Sequence, residues 1–451
     1  MPKRNIILLC ATCLVSLIAV MARERGGPGR RFGEVVAAIE RHYIEPVEAE
    51  RLVEVGLEAA VDQLDDNSAY LRGAGREALE SSLDQRFGGV GLELVVDAAA
   101  GQPVVVSPVV DSPAWRAGLA AGDQIVAVDG WTTAGHPLRE TVERLRGRVG
   151  EPVVLAVVSP RPVETLDPAA VAEATSAERE VRLIREVVEV ESVYGDRRRP
   201  DGSWDWMLEG EPGVAYLRID SFGERTAEEF AEALAAVAVE PELRGLVIDL
   251  RGNPGGLLEA AVAVCDELLA EGVIVVTRGR GSGGDAVGSV SDQRRATSGA
   301  ILEGVPLAVL VDSLTASAGE IVAACFQDTG RATIVGSRTF GKGTVQSLLP
   351  LSDGRGLLKL TTSEYLRPSL ETIHRRPGAD DAATWGVRPD EGYEAAPTAA
   401  AVERLRSWRR RRGMVPPRGA TVSEAGPSPI LPREIDSVLA RALEALDRGS
   451  G

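Results

Sequence analysis

Leu246-Val247-Ile248-Asp249-Leu250-Arg251-Gly252-Asn253-Pro254-Gly255-Gly256 reads as a buried strand running into a double-glycine turn, and the apolar spacing of Leu257 to Leu269 beyond it is helical. The same alternation extends both ways along the chain. Upstream lie a strand at Val214 to Ile219 and an amphipathic helix at Thr226 to Ala238. Downstream come strands at Val273 to Val276 and Leu307 to Val311, a helix from Ala318, and a strand at Thr333 to Val335. Strands alternating with helices of this length predict crossover units around a mainly parallel sheet.

On either side of this block the pattern changes. Residues 86–158 carry short Val, Leu and Ile runs punctuated by Gly and Pro, the signature of a small β-rich module, and residues 32–85 have helical spacing. A Pro, Ala and Glu-rich stretch, residues 159–179, reads as an inserted loop, after which strand-like sequence resumes at Glu180 and opens the block 180–394. Residues 395–451 form a tail with a short basic cluster, Arg404 to Arg412, and a last amphipathic helix, Glu434 to Leu446. The cluster fits a solvated helix face, with an anionic partner as the alternative.

The chain has 451 residues, 44% hydrophobic, with a net charge of −17. That balance excludes a chain disordered throughout and argues against a nucleic-acid partner, since phosphates are repelled without a strong basic face. Of the 50 basic residues only Lys3, Lys342 and Lys359 are lysine. Each surviving Lys marks a place where Arg would not serve, chance retention being the plain alternative. Lys3 and Arg4 precede an apolar run from Ile6 to Met21, and Val20-Met21-Ala22 is a small-residue cleavage site. Residues 1–22 therefore read as a signal peptide or an N-terminal membrane anchor through residues 6–21. Export follows from both readings, into a periplasm or onto the outer face of the cell membrane. Cys265 and Cys325 lie on apolar helical stretches with no Cys-x-x-Cys pairing, which favours buried thiols over a disulfide or metal site.

Four segments carry chemistry. Phe87-Gly88-Gly89-Val90-Gly91-Leu92, followed by Ser112-Pro113-Ala114-Trp115-Arg116-Ala117-Gly118-Leu119, combines an anion-accepting glycine turn with a sheet edge that can take an extended peptide. The turn at Gly255 and Gly256 can present a backbone N–H to an oxyanion, or simply need positive φ. Leu314-Thr315-Ala316-Ser317-Ala318-Gly319-Glu320 places Ser317 between a strand and a helix. There it is either a capping box with Glu320 or a nucleophile beside the N–H of Ala318. Thr339-Phe340-Gly341-Lys342-Gly343-Thr344-Val345-Gln346 alternates along an expected strand, so Lys342 and Gln346 share a face. A desolvated Lys loses its proton more readily and can deprotonate a serine, which an Arg cannot do. Gly336 to Lys342 also spells a phosphate-loop pattern, but Gly343 stands at the magnesium-binding Ser/Thr position and strand follows instead of helix. Gly279 to Gly284 likewise fits a dinucleotide pattern with no helix behind it. No spacing suggests a metal or an organic cofactor.

Residues 86–158 resemble a PDZ domain. Together with Tyr216-Leu217-Arg218-Ile219-Asp220-Ser221-Phe222, Asp249 to Gly256, Thr315 to Glu320, Phe340 to Gln346, Leu358 to Thr362 and Gly386-Val387-Arg388-Pro389-Asp390, the chain from residue 32 to 394 resembles the C-terminal processing, or tail-specific, serine proteases of Ser-Lys type. The resemblance implies a mixed α/β fold: a ClpP/crotonase-like protease core, an inserted PDZ domain and an N-terminal helical piece. It implies Ser317 as nucleophile, Lys342 as general base and Gln346 as the residue that positions it. The N–H groups of Ala318 and of Gly255 or Gly256 would form the oxyanion hole, and Gly88, Gly89, Val90, Gly91 and Leu92 would bind the free C-termini of protein or peptide substrates. The chain departs from the pattern at Gly319, where a Ser is frequent, at the 159–179 insert and at Ser369 to Thr384. A PDZ-bearing scaffold with an inactive core is the alternative. No particular oligomer is implied.

Overall fold

The computed structural model describes residues 28–97, 101–159, 178–280, 290–297, 299–352, 354–415 and 432–449. The segment expected to direct export, residues 1–22, lies outside them, as do most of the 159–179 insert and most of the glycine run after Gly279. Among the described residues no helix is long and apolar enough to cross a membrane. The chain forms two compact units, one of residues 77–345 with 362–451, the other of residues 1–76 with 346–361.

In the larger unit, strands Val193–Tyr194, Val214–Ile219, Gly245–Asp249, Leu307–Val311 and Thr333–Gly336 lie side by side in that order. All pairs are parallel except the edge formed by Val193–Tyr194. The strands read as continuous apolar runs because both faces are covered. Ala215, Leu217, Ile219, Ile248 and Val309 pack against the helices Thr226–Ala238, Leu258–Leu268 and Ala318–Asp328. Val214, Tyr216, Val247, Ala308, Leu310 and Val335 pack against Val438, Leu439, Ala442, Leu443 and Leu446 of the last helix, Ser437–Gly449. The amphipathic helix expected in the tail thus forms the second cover of the sheet. Cys265 and Cys325 are unpaired and fully buried in the first of these layers.

A second sheet, also in this unit, contains Leu92–Val96, Pro103–Pro108, Gln124–Val128, Pro152–Val158 and Glu178–Ile184 in spatial order, with Trp131–Thr132 beside Gln124–Val128. Its last strand differs from the sequence reading, which opened the core at residue 180. Glu178–Ile184 pairs along the whole of Pro152–Val158. The insert therefore connects two neighbouring strands of one sheet, and its length hid their pairing from local pattern. Arg86–Gly89 stands apart from that sheet, in a ribbon with Glu186–Glu189.

The smaller unit contains helices Pro28–His42 and Ala49–Val61, and a strand, Ala69–Arg72, where helical spacing had been expected throughout. That strand pairs antiparallel with Gly356 to Lys359. Asp65 sets the turn before it, accepting the N–H groups of Asn67 and Ser68 at 2.8 Å each. Four residues are too few to show a period against the helical stretches on both sides.

Candidate active site

The strand Gly245–Asp249 ends in the turn that carries Asn253. This fully buried amide joins three segments: its Nδ2 donates to Ile219 C=O at 2.8 Å, its Oδ1 accepts Gly255 N–H at 2.7 Å, and its own C=O accepts Ala316 N–H at 2.9 Å. Gly255 adopts φ +99° and lies so close to the next loop that a Cβ there would sit 2.6 Å from Ser317 Cβ and 3.0 Å from Ala318 N. Only glycine tolerates both the dihedral and the approach. Gly255 spends its N–H on Asn253. Gly256 pairs as a bridge with Phe222, whose N–H donates to Gly255 C=O at 3.0 Å and whose C=O accepts Leu257 N–H at 2.7 Å. Gly256's own N–H takes no part in that bridge.

Ser317 caps the helix Ala318–Asp328 with φ +54° and ψ −117°, a region almost reserved for glycine. Holding a non-glycine residue there costs about 1–3 kcal/mol, which the surrounding bonds must offset. Glu320, fully buried one turn into the helix, supplies them. Its Oε2 accepts Ser317 N–H at 2.9 Å and Lys342 N–H at 2.8 Å; its Oε1 accepts Thr339 Oγ1 at 2.5 Å and Gly341 N–H at 2.7 Å. Burial pushes the Glu320 carboxyl above its ordinary range, against the pull of these donors. One oxygen therefore keeps the main-chain nitrogens of Ser317 and Lys342 within the span of two hydrogen bonds. Thr339 Oγ1 in turn accepts Val387 N–H at 2.8 Å, and Thr315 C=O accepts Phe340 N–H at 2.9 Å, so the two loops are pinned at several points.

The structure brings together Ser317, Ala318, Gly255 and Lys342. Lys342 is half-buried in a loop, the strand beginning only at Thr344. The strict alternation expected from Lys342 to Gln346 is therefore absent at its start, because Gly341 and Lys342 turn their N–H groups to Glu320. Those two N–H groups are the ones a phosphate loop would offer to nucleotide, and a buried carboxylate occupies them. Gln346 belongs to the smaller unit, where its Nε2 donates to Thr361 Oγ1 at 3.2 Å. Asn253 and Thr339 were not singled out from sequence. An Asn before Pro-Gly-Gly is the ordinary composition of a turn, and a lone Thr carries no periodic signal. Of the three histidines, His42 is exposed, His136 lies against Trp131 and His374 packs its backbone on Gly343.

In the β-rich module, Gly88 and Gly89 lie in a paired strand opposite Val187 and Glu186, not in an open turn. The turn proper is Val90-Gly91: Val90 C=O accepts Ala114 N–H at 2.9 Å, and Gly91, at φ +79°, accepts Val109 N–H at 3.0 Å and Ser112 Oγ at 3.2 Å. Leu92 then opens the strand Leu92–Val96, which pairs with Pro103–Pro108 on one side and, among the described residues, with no strand on the other. A cleft of about 1010 Å³ is lined by Leu92 and Glu93 of this module and by Asp312, Ser313 and Leu314, the run that leads into Ser317. Arg218 and Arg410 also line it, and burial pushes the Glu93 carboxyl up despite them.

A serine on a strained strand-to-helix turn beside a lysine loop, in a parallel-sheet core that carries a β-module with an open edge, defines a serine peptidase with a peptide-binding domain. The model of peptidase family S41 matches residues 213–392, and that of the PDZ domain matches residues 104–159. The carboxy-terminal-processing protease of Bartonella bacilliformis is 33% identical over 348 residues, 76% of this chain and 72% of that protein. The carboxy-terminal processing protease CtpB of Bacillus subtilis is 30% identical over 367 residues, 81% of this chain and 69% of that protein. Among solved structures, the photosystem II D1 C-terminal processing protease is 27% identical and is covered over 96% of its chain, with a TM-score of 0.41. The chain belongs to peptidase family S41, as a carboxy-terminal processing serine protease with a PDZ domain.

Proposed function

We propose that this protein is an exported endopeptidase that cleaves protein substrates near their C-termini with a Ser317–Lys342 dyad, the PDZ domain holding the free C-terminus. The observation that carries the reading is the shared grip of Glu320 Oε2 on the main chains of Ser317 and Lys342, a connection that simple capping of the helix does not need.

The neutral amine of Lys342 takes the Ser317 hydroxyl proton as Oγ attacks the peptide carbonyl carbon. The oxyanion is held by the N–H of Ala318, at the positive end of its helix, and by that of Gly256, since Gly255 donates to Asn253. The Lys342 ammonium then protonates the leaving amine, and the acyl–Oγ ester remains. Lys342, neutral again, takes a proton from water, which attacks the ester and releases the new C-terminus with Oγ reprotonated. The open edge of Leu92–Val96 takes the substrate tail as an added strand, the Val90-Gly91-Leu92 turn receives its carboxylate, and the cleft leads from there toward Ser317. Export rests on the charged and apolar pattern of residues 1–22.

The test is hydrolysis of a peptide with a free apolar C-terminus, beside the same peptide amidated. Ser317→Ala and Lys342→Ala are each expected to abolish cleavage without loss of folding, and amidation to raise KM. Undiminished hydrolysis by Lys342→Ala overturns the dyad, and equal KM for both peptides overturns recognition of the carboxylate.

A further inference from the structure

The basic cluster of the tail lies on the helix Ala399–Gly413, and Val402, Leu405, Arg406, Arg409, Arg410 and Gly413 of that helix line the cleft between the β-rich module and the loop leading into Ser317. Their spacing is that of a single helix face. Six arginines border the cleft, and four of them are spent within the protein. Arg198 pairs with Glu191, Arg218 with Asp220 at 3.3 Å, and Arg251 and Arg409 share Asp249 and Asp436. Arg406 and Arg410 stand one turn apart, are exposed, and make no ion pair among the described residues. Of the acids on the cleft, Glu191 and Asp220 are taken by those pairs, and Asp312 accepts the N–H groups of Gly252, Leu314 and Thr315. Among the described residues that line it, Glu93 is left to balance two guanidiniums.

We propose that Arg406 and Arg410 select acidic side chains in the stretch of substrate that runs between its PDZ-held C-terminus and the bond at Ser317. This deepens the endopeptidase reading and rests on it. A tail added to the edge of Leu92–Val96 and a carbonyl at Ser317 lie toward two ends of one cleft, so the residues between them pass along the helix face. A protein of net charge −17 repels an acidic chain at long range, and two unpaired guanidiniums in a concave site supply the attraction locally. Each can take a carboxylate through two parallel N–H···O bonds, which a lysine cannot do. Their part is in specificity, not in the bond-making steps. Arg404 and Arg411 of the same cluster are exposed and lie on the opposite helix face, away from the cleft, so they carry equal charge without that role.

The test uses three peptides with the same scissile segment and the same free apolar C-terminus, carrying two Glu, two Gln or two Lys between them. Wild type is expected to cleave the Glu peptide with kcat/KM about three- to tenfold above the Gln peptide, mostly through KM, and the Lys peptide below both. Salt at about 0.5 M should shrink the preference. In Arg406→Gln/Arg410→Gln the Glu and Gln peptides should agree within about twofold, whereas Arg404→Gln/Arg411→Gln should keep the wild-type ratio. Arg406→Glu/Arg410→Glu should favour the Lys peptide, an inversion that a misfolded variant cannot produce. Equal rates for Glu and Gln in wild type, a preference that survives Arg406→Gln/Arg410→Gln, or equal loss in Arg404→Gln/Arg411→Gln overturns the assignment. If the preference survives while binding to phosphatidylglycerol vesicles is lost, the pair serves a lipid surface instead. Where turnover is too slow to follow, the dissociation constants of the same peptides for Ser317→Ala, with and without the arginine changes, are held to the same ratios. The endopeptidase reading is judged separately, by Lys342→Ala and by the amidated peptides. Undiminished hydrolysis or indifference to amidation there sinks that reading, whereas a wild type that meets both and treats Glu and Gln alike sinks only the arginine pair.

Discussion

Glu320 receives four donors on two oxygens: Oε2 takes the main-chain N–H groups of Ser317 and Lys342, and Oε1 takes Gly341 N–H and the Thr339 hydroxyl. A glutamine cannot replace it, since its amide nitrogen would face two donors in place of accepting from them. Glu320→Gln is expected to lose about 2–4 kcal/mol of stability in urea titrations, from two buried donors left unpaired. It should also lower kcat more than tenfold, because the strained Ser317 backbone and the Lys342 loop lose their common anchor. A variant as stable and active as wild type would show that the main-chain grip is dispensable. From sequence, Glu320 is visible only as a capping-box residue; three of its four bonds reach residues 19 or more positions away or depend on a turn with no periodicity.

At the scale of elements, the strand Gly245–Asp249 is tied to the helices of the tail by buried charge. Arg251 bridges Asp249 at 2.6 Å and Asp436 at 2.7 Å, and Arg409 reaches both carboxylates. Arg412 pairs with Asp196 and with Glu209. Arg409 and Arg412 of the basic cluster are thus turned inward, not presented to solvent. Against burial, which raises it, the guanidiniums of Arg251 and Arg409 hold the Asp249 carboxyl far below the usual carboxylate range, and they lower Asp436 likewise. A depressed carboxylate contributes stability above its unfolded pKa near 3.8 and loses it as pH falls through the folded value. Asp436→Asn is therefore expected to cost about 3–5 kcal/mol at neutral pH, as in other broken buried pairs. The gap to wild type should hold down to about pH 4 and narrow below it. Urea titrations at several pH values check this, and a gap independent of pH down to 2 would count against the linkage.

At the scale of the molecule, the sheet of the core depends on the helix Ser437–Gly449, which follows all of the sheet's strands in the chain. Leu443, on the helix Ser437–Gly449, packs in the cluster with Tyr216, Val247 and Leu310. Leu443→Ala should destabilise the larger unit by about 2–4 kcal/mol, the transfer and cavity cost of a buried leucine, measured by urea unfolding. A loss under about 1 kcal/mol would mean that the helix is not a structural cover of the sheet. The PDZ sheet shows the same dependence on distant partners, since Glu178–Ile184 joins it across the insert.

Periodicity and turn chemistry by themselves determined the alternating core, the β-rich module and the order of the Gly-Gly, Ser317 and Lys342 segments, because each of these is written within a few turns of chain. The residues named from that pattern are those that need a particular chemistry at one place: a hydroxyl, an amine that can lose its proton, glycines at positive φ. Tertiary structure alone decided that Glu320 and Asn253 knit those segments together, and that Gly255 spends its N–H on Asn253 while the N–H of Gly256 stays out of the bridge with Phe222. It alone decided, too, that the tail closes the back of the sheet. Such contacts join residues tens to hundreds of positions apart through single directional hydrogen bonds, and local pattern holds no record of where a distant donor will point.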